Sequence, residues 1–270
     1  MPRRLRCPAV VITSPSNPKL RYVRKLAGRR FREREGRLAV EGVRLVGDAL
    51  DAGLTPAFAL VAEPLASTER GRTLAATLSA SGAPVLEVEP TLLAEVADTV
   101  TPQGVVAVFD LPEIEPPTRP ELVLVLDQVR DPGNVGTMIR TALAAGADAV
   151  IAAPGTVDVW SPKVVRGGMG AHFRLPVLAL GWDAIRRRGR DWGLAAWVAD
   201  GAAETAHTGM DWTAPAMLVV GGEADGPSAE GRALGPGVKV PMPGPAESLN
   251  AAVAAAVILF EAARQRSAAT

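Results

Sequence analysis

Residues 126–142 read LDQVRDPGNVGTMIRTA, and the reading of this stretch decides the fold. The five residues ending at its first position, LVLVL at 122–126, form a continuous apolar run of strand length. That is the pattern of a parallel strand covered on both faces, hence of an α/β sheet. Asp131, Pro132, Gly133 and Asn134 then supply turn chemistry, and Asn134 is expected to cap a helix over 135–145. Open α/β sheets bind ligands outside the carboxyl ends of their strands, where this turn lies. Arg140 follows six residues after Asn134, roughly 9 Å along a helix axis at ~1.5 Å per residue, within reach of a ligand in the turn. Two readings stand at this point: a polar site at a strand end, or an ordinary strand-to-helix turn with a surface arginine.

Working outward, strand-like runs at 38–40, 57–62, 84–88 and 104–109 alternate with helical stretches at 43–52 and 68–80. They predict a small α/β domain over 1–110. The stretch LPEIEPPTRPE at 111–121 has four prolines, three acids and no periodicity, so 111–120 is expected to be an extended linker. Beyond it, over 121–270, strands are expected at 122–126, 149–153, 177–180, 194–198, 217–220 and 238–240. Helices are expected at 162–170 and 248–264 besides the one after Asn134. The last, with AAVAAAVILFEAA, is apolar on most sides and should be buried or pack against another subunit.

With 270 residues and 48% hydrophobic content, the chain is long enough for two ordinary domains. It has no apolar run of membrane-spanning length and no secretory leader pattern, so a cytoplasmic protein is expected. Cys7 is the sole cysteine, and His172 and His207 are far apart, which leaves no donor set for a metal. The formal net charge of zero hides an asymmetry. Residues 1–44 hold 13 Lys or Arg against three acids, leaving 16 basic and 26 acidic residues in the remainder. Lys19, Arg21, Arg24, Lys25, Arg29, Arg30, Arg32, Arg34 and Arg37 interleave with Tyr22 and Phe31, a pattern suited to phosphates. A solvated basic face, or arginines paired with the acidic body, is the competing reading.

Two further turns follow late strands: Gly221-Gly222-Glu223 to Gly226, and Pro241-Met242 to Ser248-Leu249-Asn250. Glycines expose backbone donors and acceptors, and Glu223, Ser248 and Asn250 add polar heads to an apolar setting, so the three turns together could enclose a small ligand. Ser248 is also a candidate cap for the last helix. The chain lacks the dinucleotide fingerprint G-x-G-x-x-G after its first strands, a P-loop and a G-x-S-x-G elbow, which argues against nucleotide-dependent oxidoreductases, P-loop enzymes and serine hydrolases.

In this order the three turns resemble the motifs of the SpoU/TrmH branch of the SPOUT methyltransferases: Asp131 to Gly136 with Arg140, Gly221 to Gly226, and Val240 to Asn250. Asn17-Pro18-Lys19, Val40 to Arg44 and Thr101 to Val105 resemble the substrate-binding domain of the same family, similar in fold to certain ribosomal proteins. The resemblance implies an S-adenosylmethionine-dependent RNA methyltransferase acting on a ribose 2′-hydroxyl, with ribosomal RNA preferred over transfer RNA. It also implies a parallel-sheet catalytic domain with a C-terminal trefoil knot, a homodimer, and no metal. By position, Gly221, Gly222, Val240, Pro241, Met242 and Leu249 fall at cofactor contacts, and Arg140, Asn134, Glu223, Ser248 and Asn250 at the polar catalytic positions. Arg166 matches a further RNA-binding arginine, joined by Lys19, Arg21, Arg24, Lys25, Arg29, Arg30 and Arg44 of the basic head. Gly168 departs from the pattern, which often has serine there. Because a guanidinium stays protonated, Arg140 is expected to hold a phosphate and place the 2′-oxygen, and Glu223 to orient an arginine. The alternative is a non-catalytic RNA-binding protein on the same fold.

Overall fold

A computed structural model describes residues 11–99, 101–223 and 225–269, so Cys7 lies outside them. The chain forms two units: one ends at Pro112 and takes in Trp160–Pro162, and the other holds Glu113–Val159 and the chain from Lys163 onward.

The first unit carries α1 (Pro18–Leu26), α2 (Arg29–Glu35), β1 (Arg37–Glu41), α3 (Val43–Asp51), β2 (Phe58–Val61), α4 (Glu69–Ala80), β3 (Val85–Glu87), α5 (Pro90–Ala94) and β4 (Val105–Asp110). Its sheet runs β1-β4-β2-β3, with β4 antiparallel to both neighbours and β2 parallel to β3. Leu20, Val23 and Leu26 give α1 one apolar stripe, which packs with Phe58, Leu60, Val106 and Val108. Neither α2 nor α5 was legible, because α2 (RRFRERE) shows no apolar period and α5 is only five residues long. Tertiary contacts make α2: buried Arg32 donates to the carbonyls of Leu26 and Ala27 at 2.7 and 2.6 Å, satisfying the open end of α1, and left-handed Gly36 ends the helix. Two of the family-like segments meet here. The side-chain carbonyl of Gln103 accepts from Val43 N at the start of α3, 2.8 Å away, and Glu41 accepts from the Asp98 amide at 2.6 Å and from the Thr99 hydroxyl.

The second unit carries β5 (Leu122–Asp127), α6 (Pro132–Ala144), β6 (Ala149–Ala152), α7 (Pro162–Gly167), β7 (Val177–Ala179), α8 (Trp182–Asp191), β8 (Ala195–Ala199), β9 (Ala216–Gly221), α9 (Ala229–Arg232), β10 (Gly237–Val238) and α10 (Ala251–Ala269). Every pairing in its six-stranded sheet, ordered β10-β8-β9-β5-β6-β7, is parallel. The apolar run that opened the reading is the centre of this sheet, and all of Leu122 to Leu126 are fully buried. Residues 111–121 contain no helix or strand. Among the described residues no helix is long and apolar enough to cross a membrane.

Three local expectations are corrected. The cap of α6 is Asp131, whose carboxylate accepts from Asn134 N at 2.8 Å; the helix starts at Pro132, so Asn134 sits inside its first turn. Proline at the first helical position needs no N–H partner and draws the start forward by three residues. The last helix starts at Ala251, and its cap is the Asn250 side chain, accepting from Ala252 N and Val253 N at 2.9 and 3.2 Å, not Ser248. β10 stops at Val238, so Val240 lies in the following loop.

Candidate active site

Register brings the first two motifs together, because Asp127 at the end of β5 pairs with Gly221 at the end of β9. The turn after β9 closes on itself through Gly226 N–H to the Gly222 carbonyl at 3.1 Å and carries Glu223 near its tip. Its glycines are required by contact: a Cβ on Gly221 would fall 2.2 Å from the Gly226 carbonyl carbon, and one on Gly222 would fall 2.6 Å from the Gln128 carbonyl oxygen. Beside this turn, at the carboxyl ends of β8, β9 and β10, lies an open cleft of about 140 Å³. Val220, Val238, Val240, Met242, Leu249 and Ile258 form apolar walls, Gly221 and Gly222 expose backbone, and Asp200, Glu223 and Glu247 bring carboxylates. Of the sequence-assigned cofactor residues, Gly221, Gly222, Val240, Met242 and Leu249 line the cleft, and Pro241 does not.

Three of the five candidate catalytic residues form one hydrogen-bonded relay. Asn250 Nδ2 donates to Asn134 Oδ1 at 3.1 Å, and Asn134 Nδ2 donates to a carboxylate oxygen of Glu223. The relay joins the N-terminus of α10, the first turn of α6 and the Gly-rich turn, and so all three motifs. Both the donor and the acceptor end of the Asn134 amide have a protein partner. The hydrogen bond to Glu223 comes from an asparagine, Asn134. Ser248 lines the cleft, exposed in the loop before α10.

Arg140 lies on the exposed side of α6, outside the cleft lining, with no hydrogen bond or ion pair to another described residue. A cation left unneutralised on the helix that carries Asn134 is available to a phosphate. Arg166 sits half-buried in the last turn of α7, which is pressed against α6: a Cβ on Gly136 would stand 2.7 Å from the Val164 carbonyl oxygen. At Gly168 the space a serine would need is taken by His172, whose Nδ1 would be 2.5 Å from a Cβ there. His172 is fully buried, donates from Nε2 to the Val159 carbonyl at 2.9 Å, and its imidazole is pushed down to about 4, by burial first and against the effect of that hydrogen bond.

In the first unit the basic head proves partly committed. Arg24 pairs with Glu95, Arg29 with Glu33 at 2.7 Å, Arg34 with Glu35 at 2.9 Å and Arg37 with Asp110 at 2.8 Å, while Arg32 is buried. Lys19 lies over the Phe58 ring at 4.2 Å and Lys25 over Phe31 at 5.7 Å. Arg21, Arg30 and Arg44 are exposed with no ion pair among the described residues, and they are the free cations of the set. Pairing within the unit therefore accounts for part of the charge run.

Sequence reasoning passed over Asp127 and Asp200, and it gave the cap of α6 to Asn134 where the structure gives it to Asp131. The signal for the first was present, since a single carboxylate closes a strand otherwise made of Leu and Val.

Residues 121–260 match the SpoU rRNA Methylase family, and residues 17–107 match the MRM3-like substrate binding domain. The 23S rRNA (guanosine(2553)-2'-O)-methyltransferase RlmP of Bacillus subtilis is 34% identical over 92% of this chain and 97% of its own length. Human mitochondrial rRNA methyltransferase 3 is 32% identical over 88% of this chain and 70% of its own. A crystal structure of AdoMet-bound rRNA methyltransferase from Sinorhizobium meliloti superposes with a TM-score of 0.80 at 34% identity, covering 94% of this chain and 97% of that one. With three ordered motifs converging on one cleft and relay, the chain belongs to the SpoU rRNA methylase family.

Proposed function

We propose that this protein transfers a methyl group from S-adenosylmethionine to a ribose 2′-hydroxyl of ribosomal RNA. The observation that carries the reading is the relay Asn250–Asn134–Glu223 at the mouth of an apolar, glycine-edged cleft. Such a cleft suits the cofactor: apolar walls for a purine, bare backbone at Gly221 and Gly222 for its polar edge, and carboxylates for a ligand with positive ammonium and sulfonium groups. When bound, the cofactor supplies an already electrophilic methyl carbon, so the chain's own residues have only to orient the hydroxyl and let its proton leave.

Arg140 holds the neighbouring phosphate and so places the 2′-oxygen. Its guanidinium is a poor base, and the proton passes to phosphate or water as the new carbon–oxygen bond forms. Asn134 and Asn250 position Glu223 and the start of α10. Arg21, Arg30 and Arg44, with Lys19 and Lys25, supply phosphate contacts on the substrate-binding unit.

The active form is read as a homodimer. Val253, Val257 and Phe260 recur on one side of α10, 48%, 37% and 52% exposed, with Leu249 just before the helix at 37%. A second copy covering this row would bury apolar surface beside the third motif. On the same reading, the trefoil knot that the family likeness implies near the C-terminus would involve the segment leading from β10 at the sheet edge back to α10 against α6.

The test is to map 2′-O-methyl sites in total RNA with and without the gene, and to restore them with wild-type protein or Asn134→Ala. One ribosomal RNA position is expected to lose its methyl group and regain it only with wild type. Unchanged methylation in all stable RNAs would defeat the reading.

A further inference from the structure

Two residues that belong to none of the three motifs hold the second one in place. Asp127 is fully buried at the end of β5, and its Oδ2 accepts from Ser228 N at 2.7 Å, across 101 positions of sequence. Gly231 packs so tightly that a Cβ there would fall 2.3 Å from the same oxygen. The other oxygen, Oδ1, is buried with no hydrogen-bond partner among the described residues. Next along the chain, Gln128 has φ 55, in the left-handed region that side chains avoid. That kink presents its carbonyl to Gly222, where no Cβ fits, and sets its side chain against Gly155, whose own Cβ would meet Gln128 Cγ at 2.9 Å. The turn bearing Glu223 is thereby bonded at Ser228 to the Asp127 carboxylate and packed at Gly222 against the Gln128 carbonyl.

Both devices work against stability. A buried carboxylate with one unpaired oxygen is costly, and a glutamine in the left-handed region is strained where a glycine would be at ease. Strain of this kind persists where surrounding structure enforces it, and it clusters at functional sites. Here it surrounds the turn that edges the cleft.

We propose that Asp127 and Gln128 are positioning residues, which hold Gly221–Gly222 and Gly226–Ser228 in a cofactor-accepting arrangement before any ligand arrives. A site competent only a tenth of the time binds ten times more weakly, and these contacts remove that loss. The inference deepens the cofactor reading and rests on it.

Ser228 allows a clean test because its φ of −65° suits proline. Ser228→Ala deletes only the hydroxyl, which accepts from Gly231 N at 3.0 Å. Ser228→Pro deletes that hydroxyl and also the N–H that Asp127 accepts. By calorimetry on the full chain, Ser228→Pro is expected to bind S-adenosylmethionine at least tenfold more weakly than Ser228→Ala. RNA affinity should be the same for both, and turnover at saturating cofactor should fall less than affinity does. Asp127→Asn, which keeps an acceptor for Ser228 N, should bind closer to wild type than Ser228→Pro. In ligand-free wild type, hydrogen exchange should show the Gly226 and Ser228 amides protected, and this measurement decides the matter if Ser228→Pro fails to fold. Equal cofactor binding by the two Ser228 variants, or a Ser228 amide exchanging as fast as an open loop, overturns the assignment of the loop alone. Failure of wild type to bind S-adenosylmethionine overturns the cofactor reading beneath it as well.

Discussion

Replacing His172 by glutamine should change how the second unit responds to acid, and the size of the change follows from burial. The folded imidazole is held down at about 4 against an ordinary 6.5, because its fully buried site disfavours the charged form. Above pH 6.5 the ring is neutral in both folded and unfolded chains, and its contribution is constant. As pH falls from 6.5, the unfolded chain takes up a proton that the folded chain refuses, so stability declines until the folded ring also protonates near 4. One unit of pKa difference is worth about 1.36 kcal/mol, so the full window costs the folded state about 3 kcal/mol. Glutamine keeps an N–H for the Val159 carbonyl and cannot titrate. Four of the five tryptophans, Trp182, Trp192, Trp197 and Trp212, lie in the second unit, so fluorescence-detected urea unfolding at pH 7.5, 6.5, 5.5 and 4.5 follows mainly this region. The difference in unfolding free energy, wild type minus His172→Gln, should fall by about 2 to 3 kcal/mol between pH 7.5 and 4.5. A difference independent of pH would refute the argument.

Asn250→Ala removes the cap of α10 and the first link of the relay together. It should lower stability by about 1 kcal/mol and turnover by a larger factor, read by thermal unfolding and methyl incorporation. Gly136→Ala puts a Cβ 2.7 Å from the Val164 carbonyl oxygen, and forcing α7 off α6 should cost about 1–3 kcal/mol in urea unfolding. On the substrate-binding unit, Arg21→Ala or Arg30→Ala should lower the slope of log affinity for RNA against log salt by about one. Arg24→Ala, already paired with Glu95, should change that slope less in the same filter-binding series. Phe260→Asp should convert a dimer to a monomer by light scattering, and a variant that remains dimeric would remove α10 from the interface.

The sheet was legible because Leu122 to Leu126 and Ala149 to Ala152 are continuous apolar runs of strand length, the first bounded by a Pro-Gly turn. What eluded sequence reading depended on partners far away in the chain. α2 exists through the buried Arg32 and the carbonyls it closes, and nothing in RRFRERE announces that. The start of α6 was misplaced because Asp131 and Asn134 are equally good caps, and proline between them decided the matter. Turn chemistry and family likeness named the polar members of the candidate site but not their connection, since the Asn134–Glu223 bond spans 89 positions and the Asn250–Asn134 bond 116. The basic head was overcounted for a similar reason, because Glu95 and Asp110, which pair with Arg24 and Arg37, lie on distant strands and loops.

The relay from α10 to Glu223 has a direction, set by its ends. Helix N–H groups can only donate and an ionised carboxylate can only accept, so each residue between them must do both, as an amide does and an aspartate does not. An acid at position 134 would face Glu223 with two acceptors and no proton between them, unless position 223 became an amide in the same lineage. Across the descendants of this fold, then, the characters at 134 and 223 should behave as one inherited unit: amide with acid, or acid with amide. A history of single steps must pass through the uncharged pair of two amides, the one intermediate that keeps every bond in the chain.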